Sequence, residues 1–225
     1  MGSWIWSRSI GDIIGDNGPG QSPGSGFQNP ANLRTERGLL DTHLGQRFVL
    51  SGIWDLPFGR GRQFGSNLNP VLNAVLGGWS FGGILTLTSG RPFNVTVSGN
   101  PANSGGTNRA DVVGDPYSVP GGQSVNEFFN TAAFRANRQF TYGNLGRNVL
   151  LGPRFTNLDC SLEKQATLFS TGDQPWNLQF RWEFFNVFNH TNFGFPGGTL
   201  GTPTFGQLTV ADPSRKMQVG LKLIF

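Results

Sequence analysis

Arg215-Lys-Met-Gln-Val-Gly-Leu-Lys-Leu-Ile-Phe225 closes the chain. Counting back from the end, Phe225, Leu223, Leu221, Val219 and Met217 fall on one face. Ile224, Lys222, Gly220, Gln218 and Lys216 fall on the other, and only Ile224 breaks the pattern. Alternation of period two marks a strand held between two different surroundings, one oily and one wet.

The same signal recurs upstream. In Asn177–Phe185, Leu178, Phe180, Trp182 and Phe184 alternate with Gln179, Arg181 and Glu183. Leu158, Cys160 and Leu162 alternate with Asp159, Ser161 and Glu163; Lys164 then falls on the apolar side, either at a membrane edge or beside a bulge. Gly78–Ser89 places Trp79, Phe81, Leu85 and Leu87 together. Gln46–Asp55 is less regular, because Val49 and Ile53 oppose Phe48, Leu50 and Trp54. Residues 3–10, with Trp4 and Trp6, form a weaker candidate. These readings predict an all-β chain with strands near 3–10, 46–55, 78–89, 157–168, 177–188 and 215–225. At ~10 residues each they suit a tilted bilayer crossing. A terminal aromatic such as Phe225 suits the interfacial girdle of an outer-membrane barrel, with Leu223 and Leu221 facing lipid. The expected fold is an antiparallel transmembrane β-barrel segment, incomplete at about six strands, with long extracellular loops.

Composition agrees. Charged residues are 13% of the chain and hydrophobic ones 36%; Gly (34), Phe (20) and Trp (6) are abundant. That charge share is about half the usual one. The net charge of +4 comes from scattered Lys and Arg without a basic run, so nucleic acid is not expected as a partner. The single Cys160 can form neither a disulfide framework nor a cysteine metal site. No stretch approaches the ~18 apolar residues of a membrane helix. Met1–Gly15 lacks the pattern of a signal peptide, so the true N-terminus is expected upstream.

Connection lengths give an independent check, since barrel turns are short on the periplasmic side and long outside. With Phe225 periplasmic, His190–Ser214 and Arg91–Thr156 should be long outer loops, and Ser170–Pro175 a short turn, as they are. Gly11–Gly45 should be long and is. Leu56–Gly77 should be short and is not; Asn67–Leu76 is predicted to fill it with a helical turn.

Chemistry-bearing motifs are few. Gly20-Gln-Ser-Pro-Gly24 matches a hydrolase nucleophile elbow, but no strand enters it and no helix leaves it. His43 and His190 lie in expected loops and are read as solvated, with His190 at a strand end. Gly59-Arg-Gly-Arg-Gln-Phe-Gly65 lacks the Gly-Lys-Ser/Thr ending of a phosphate loop. Neither enzymatic activity nor a cofactor or metal is expected. On the polar face, Lys222 and Lys216, Arg181 and Glu183, and Asp159 and Glu163 would stand on neighbouring strands as lumen charges. Pairing for register is the plain reading; a ligand-contacting wall is the sharper one.

Several runs together resemble the C-terminal region of Oar-like TonB-dependent outer-membrane transporters. They are Arg47-Phe-Val-Leu-Ser51, Asp55-Leu-Pro-Phe-Gly-Arg-Gly61, Gly77-Gly-Trp79 and Ser89-Gly-Arg-Pro-Phe93. Tyr142-Gly-Asn144, Gly146-Arg-Asn148, Gly152-Pro153, Arg181-Trp-Glu-Phe-Phe-Asn-Val-Phe-Asn-His190 and Gln218-Val-Gly-Leu-Lys-Leu-Ile-Phe225 complete the set. The resemblance implies a barrel of about 22 strands enclosing a plug. It implies energised uptake of a nutrient too large for porins. The signal peptide, plug, TonB-contacting segment and remaining strands would lie outside this chain. Expected partners are outer-membrane lipid, the barrel assembly machinery, the missing strands and plug, and TonB through that plug. The alternatives are a complete small barrel acting as anchor or adhesin, with two strands hidden in residues 91–156, and a secreted β-sandwich binding module.

Overall fold

The computed structural model describes residues 1–12, 26–171 and 174–224. Six strands form one antiparallel sheet: β1 (Gly2–Trp6), β2 (Gln46–Asp55), β3 (Trp79–Thr88), β4 (Phe155–Thr171), β5 (Gln174–Phe185) and β6 (Lys216–Ile224). They lie side by side in chain order.

The registers carry one apolar face unbroken across all six strands. Trp4 pairs with Phe48, which pairs with Leu87. Trp54 pairs with Phe81, Phe81 with Leu162, Leu162 with Trp182, and Trp182 with Val219. A one-residue slip anywhere would turn a whole strand over, so the shared face fixes the register. Trp6 is 82% exposed, Leu221 69% and Val219 64%. Among the described residues no second large sheet covers this face, which removes the β-sandwich reading.

The strand limits differ from the sequence reading for local reasons. β1 stops at Trp6, after which Ser7 bonds back to Gly45. β5 stops at Phe185 rather than 188, because Asn186 has a φ of 55° and cannot continue a strand. β4 is longer than expected, with a register shift between Thr167 and Phe169. β3 and β6 begin and end within a residue of their predicted limits. Phe225 lies outside the described residues.

Lys164 is in phase and no bulge displaces it. Its ammonium sits 4.9 Å over the Trp79 ring and donates to the Val75 and Gly77 carbonyls. Those carbonyls close helix α1 (Pro70–Leu76), which Asn69 caps by accepting from Leu72 N–H at 2.8 Å. The helix takes up the overlong β2–β3 connection, and Trp79 Nε1 also donates to Val75, at 2.9 Å. Lys164, inside β4 and opposite the first residue of β3, thus satisfies carbonyls that a helix terminus leaves open.

The described parts of the long connections, residues 7–12, 26–45, 89–154 and 186–215, all lie at the opposite end of the sheet. They pack into a cap with the chain's hydrophobic core: Phe93, Val95, Ala110, Phe129, Ala133, Phe134, Leu145 and Leu150. Phe129 makes edge contacts with Phe134 at 5.6 Å and Phe205 at 5.3 Å. Residues 91–154 hold only two-residue ladders, such as Pro92–Phe93 with Leu150–Leu151, so the two hidden strands of the small-barrel reading are not there. The buried hydrophobic residues lie in loops, while the sheet shows its apolar side to its surroundings.

Two outcomes follow. Val219→Arg in the assembled barrel should cost about 2–4 kcal/mol in denaturant unfolding from lipid vesicles, against less than about 0.5 for Lys222→Gln on the polar face. The isolated 225-residue chain, with open edges at β1 and β6, should aggregate without detergent. A detergent-free monodisperse monomer with a sharp unfolding transition would contradict that.

Candidate functional site

The polar face is built on β2 to β6. Arg181 stands opposite Glu163 across the β4–β5 ladder. Its Nε lies 3.1 Å from Glu163 and its Nη2 2.8 Å from Glu183. Gln218 on β6 donates to Glu183, extending the chain of contacts across three strands. These groups are partly exposed, so the pairs serve register more than stability. Lys222 faces Gln179 and stands apart from the cluster. Lys216 pairs in register with Phe185.

Asp159 has a different task. It accepts from Asn186 N–H at 2.9 Å and from Asn157 at 2.9 Å. Asn186 exchanges bonds of 2.9 and 2.8 Å with His190 across a tight turn, and Asn189 accepts from Arg215 N–H at 2.9 Å. The Asn-Val-Phe-Asn-His run is therefore a strand-ending turn, and Asp159 is its anchor. His190 stays exposed.

Beside the ion cluster lies an open groove of about 540 Å³ lined by Ile53, Ile84, Ser161, Glu163, Arg181 and Phe185 among others. Gly82 keeps it open: a Cβ there would come 2.6 Å from Ser161 Oγ. Val49 and Ile53, which blur the alternation of β2, point to this face. Ile53 is 83% exposed.

The cap holds two buried ion pairs that sequence reading missed. Arg109 grips Glu36 with both Nη atoms, at 2.6 and 3.3 Å, while its Nε donates to the Leu145 carbonyl at 2.9 Å. Glu36 also accepts from the N–H groups of Gln28 and Asn29. Both side chains are essentially fully buried. Burial pushes the Glu36 carboxyl up, but the Arg109 hydrogen bond and charge and the two N–H donors outweigh it, so its pKa falls below the ordinary 4.5. Arg147 contacts Asp41 at 3.4 Å, and Asn148 donates to the same carboxylate at 2.6 Å. No spacing signal links partners so far apart in sequence; the Gly-Arg-Asn run at 146–148 was the one local hint.

His43 is buried in the cap, not solvated: its Nδ1 accepts from Ser9 N–H at 3.2 Å. Burial, and then the nearby Arg8 charge, hold its pKa below 6.5. Its placement follows from the loop folding back on β1. The Gly20–Gly24 motif lies outside the described residues. Arg60 and Arg62 serve a local turn, through Leu68 at 2.7 Å and Asp55 at 3.6 Å. Among the described residues no group of three His, Cys, Asp or Glu could hold a metal.

The Glu36 pair sets a pH window. A carboxyl whose folded pKa is depressed adds stability that is present above its unfolded pKa and is lost as pH falls through the folded one. Cap amides near Gln28, Arg109 and Leu145 should therefore keep their hydrogen-exchange protection down to the ordinary value of 4.5 and lose it progressively as pH falls from there through the depressed folded value. Glu36→Ala, which strands a buried arginine, should weaken the cap by about 3–5 kcal/mol at neutral pH while the strands stay protected.

No curated protein and no solved structure matches this chain. The family described as an outer membrane beta barrel domain matches residues 1–218. The match spans the first five strands, the cap and the start of β6. It agrees with an apolar face left bare, a polar face carrying ions, and a core confined to loops. The chain belongs to the outer membrane beta barrel domain family, and so to the outer membrane of Gram-negative bacteria.

Proposed function

We propose that this chain is the C-terminal part of a TonB-dependent receptor barrel that takes up a nutrient too large for porins. The observation that carries the reading is the open apolar groove on the inner wall, with Ile53 bare beside the Arg181 ions. A small barrel fills its interior with its own side chains. A wall with exposed isoleucines and phenylalanine suits a large barrel whose interior is filled by a separate plug. The cap of three long loops then stands outside the cell, over the mouth. The hairpin and α1 lie on the periplasmic side.

On this reading the protein is not an enzyme. It binds outer-membrane lipid along the Trp54–Val219 face and is inserted by the barrel assembly machinery. It pairs its β1 and β6 edges with further strands of the same protein, and meets TonB only through the plug.

The genome tests this directly. The frame upstream of codon 1 should run on without a stop and encode further strands and a plug. Uptake by the full-length protein should cease when TonB is deleted. A stop codon followed by a ribosome-binding site just before codon 1, or uptake indifferent to TonB, would overturn the proposal.

A further inference from the structure

Where the sheet meets the cap, a second cavity of about 580 Å³ opens on the polar face. Ligand pockets commonly have such a volume. Its floor is the loop-side ends of β2, β3 and β4. Arg47 pairs in register with Thr88, and Thr88 with Phe155, so the three side chains stand in one row; Thr86 lies one row deeper. Its roof is loop chain carrying Arg91, Phe193, Phe195 and Asp212.

The roof is held firmly. Asn192 is buried and clamps Thr156 by two bonds of 2.9 Å, one in each direction. Gly152 N–H donates to the Arg91 carbonyl at 2.8 Å. Gly90 passes so close that a Cβ there would sit 1.9 Å from the Gly152 carbonyl oxygen. Ser89-Gly-Arg-Pro-Phe93 and Gly152-Pro153, two of the runs that carry the resemblance, thus cross at the cavity wall and fix where Arg91 leaves the backbone.

The charges in it are unspent. Arg109, Arg147 and Arg181 are all committed to carboxylates. Among the described residues neither Arg47 nor Arg91 joins any ion pair, although Asp212 lines the same cavity. Two arginines against one carboxylate leave an excess positive charge. Guanidinium forks bind carboxylate and phosphate oxygens in pairs. The Phe155, Phe193 and Phe195 rings offer an apolar surface beside them, and the threonine hydroxyls of residues 86 and 88 can donate.

We infer that this cavity binds the part of the solute that carries one compact anionic group, carboxylate or phosphate, on an apolar or aromatic body. The anion lies between Arg47 and Arg91, and the body lies against the phenylalanines. The inference rests on the uptake reading, whose substrate class it names, but its test does not use TonB.

The test is a fluorescence anisotropy titration of the full-length protein in detergent with naphthoate. Naphthyl phosphate and neutral naphthamide serve as competitors. Naphthoate should bind saturably, and naphthamide should compete at least about tenfold more weakly. Naphthyl phosphate binding more tightly than naphthoate identifies phosphate as the natural group, and binding more weakly identifies carboxylate. The double variant R47Q/R91Q should lose about tenfold or more in affinity, while Asp212→Asn should gain, since it removes the opposing charge. Heat-modifiable gel mobility checks that each variant keeps its barrel. Absence of saturable binding, equal competition by naphthamide, or an unchanged affinity in folded R47Q/R91Q would overturn the site. Binding as expected with uptake indifferent to TonB would sink the transport reading and leave the site. TonB-dependent uptake without anion binding would do the reverse.

Discussion

In hydrocarbon a backbone N–H or C=O without a partner costs several kcal/mol, since no water is there to take its place. Everything in this chain follows from that constraint. The lipid-facing part is a single antiparallel sheet whose hydrogen bonds run from strand to strand. Irregular backbone is confined to its two ends. A sheet bathed in lipid on one side gains nothing by packing a second layer on that side, so the strands keep Trp4, Leu50, Val219 and Leu221 exposed. The loops, in water, face the opposite demand. They gather Phe93, Phe129, Phe134 and Leu150 into a core that a small soluble domain would recognise.

The two demands explain what could be read from the chain and what could not. β5 and β6 were legible because lipid on one side and water on the other impose strict alternation on consecutive residues. β2 was less legible because its inner side carries Val49 and Ile53, and a wall that is partly apolar on both sides loses the contrast that alternation depends on. Ends were misplaced where a single backbone angle decided them, as at Asn186. Lys164 looked like a flaw because its partners, the last carbonyls of α1, come from a different connection.

The cap was the least legible part. Its defining contacts join Glu36 to Arg109 and Asp41 to Arg147, through side chains that in sequence look like ordinary loop charges. His43 looked solvated for the same reason. Burial in loops has no period, so no window of sequence announces it. Glycines carried more information than charges there. Gly143, where a Cβ would lie 1.9 Å from the Arg109 carbonyl, and Gly90 mark the points where chains must touch. Both sit inside the runs on which the resemblance rested. Those runs are recognisable because they hold the cap together, whatever passes beneath it.

That division of labour bears on where specificity can reside. Arg109 and Arg147 are locked within the cap and cannot turn to a solute without losing a buried pair. Arg181 is held on the wall by two glutamates, so its charge is already balanced. On the proposed uptake reading, a solute entering from outside meets the underside of the cap before it meets that wall. At this junction the cap's rigidity fixes Arg91, and the sheet's register fixes Arg47 beside Thr88. The same packing that gives the loops a core therefore anchors the backbone of two arginines, neither of them in an ion pair among the described residues, on one cavity, and such preorganisation favours recognition of an anion.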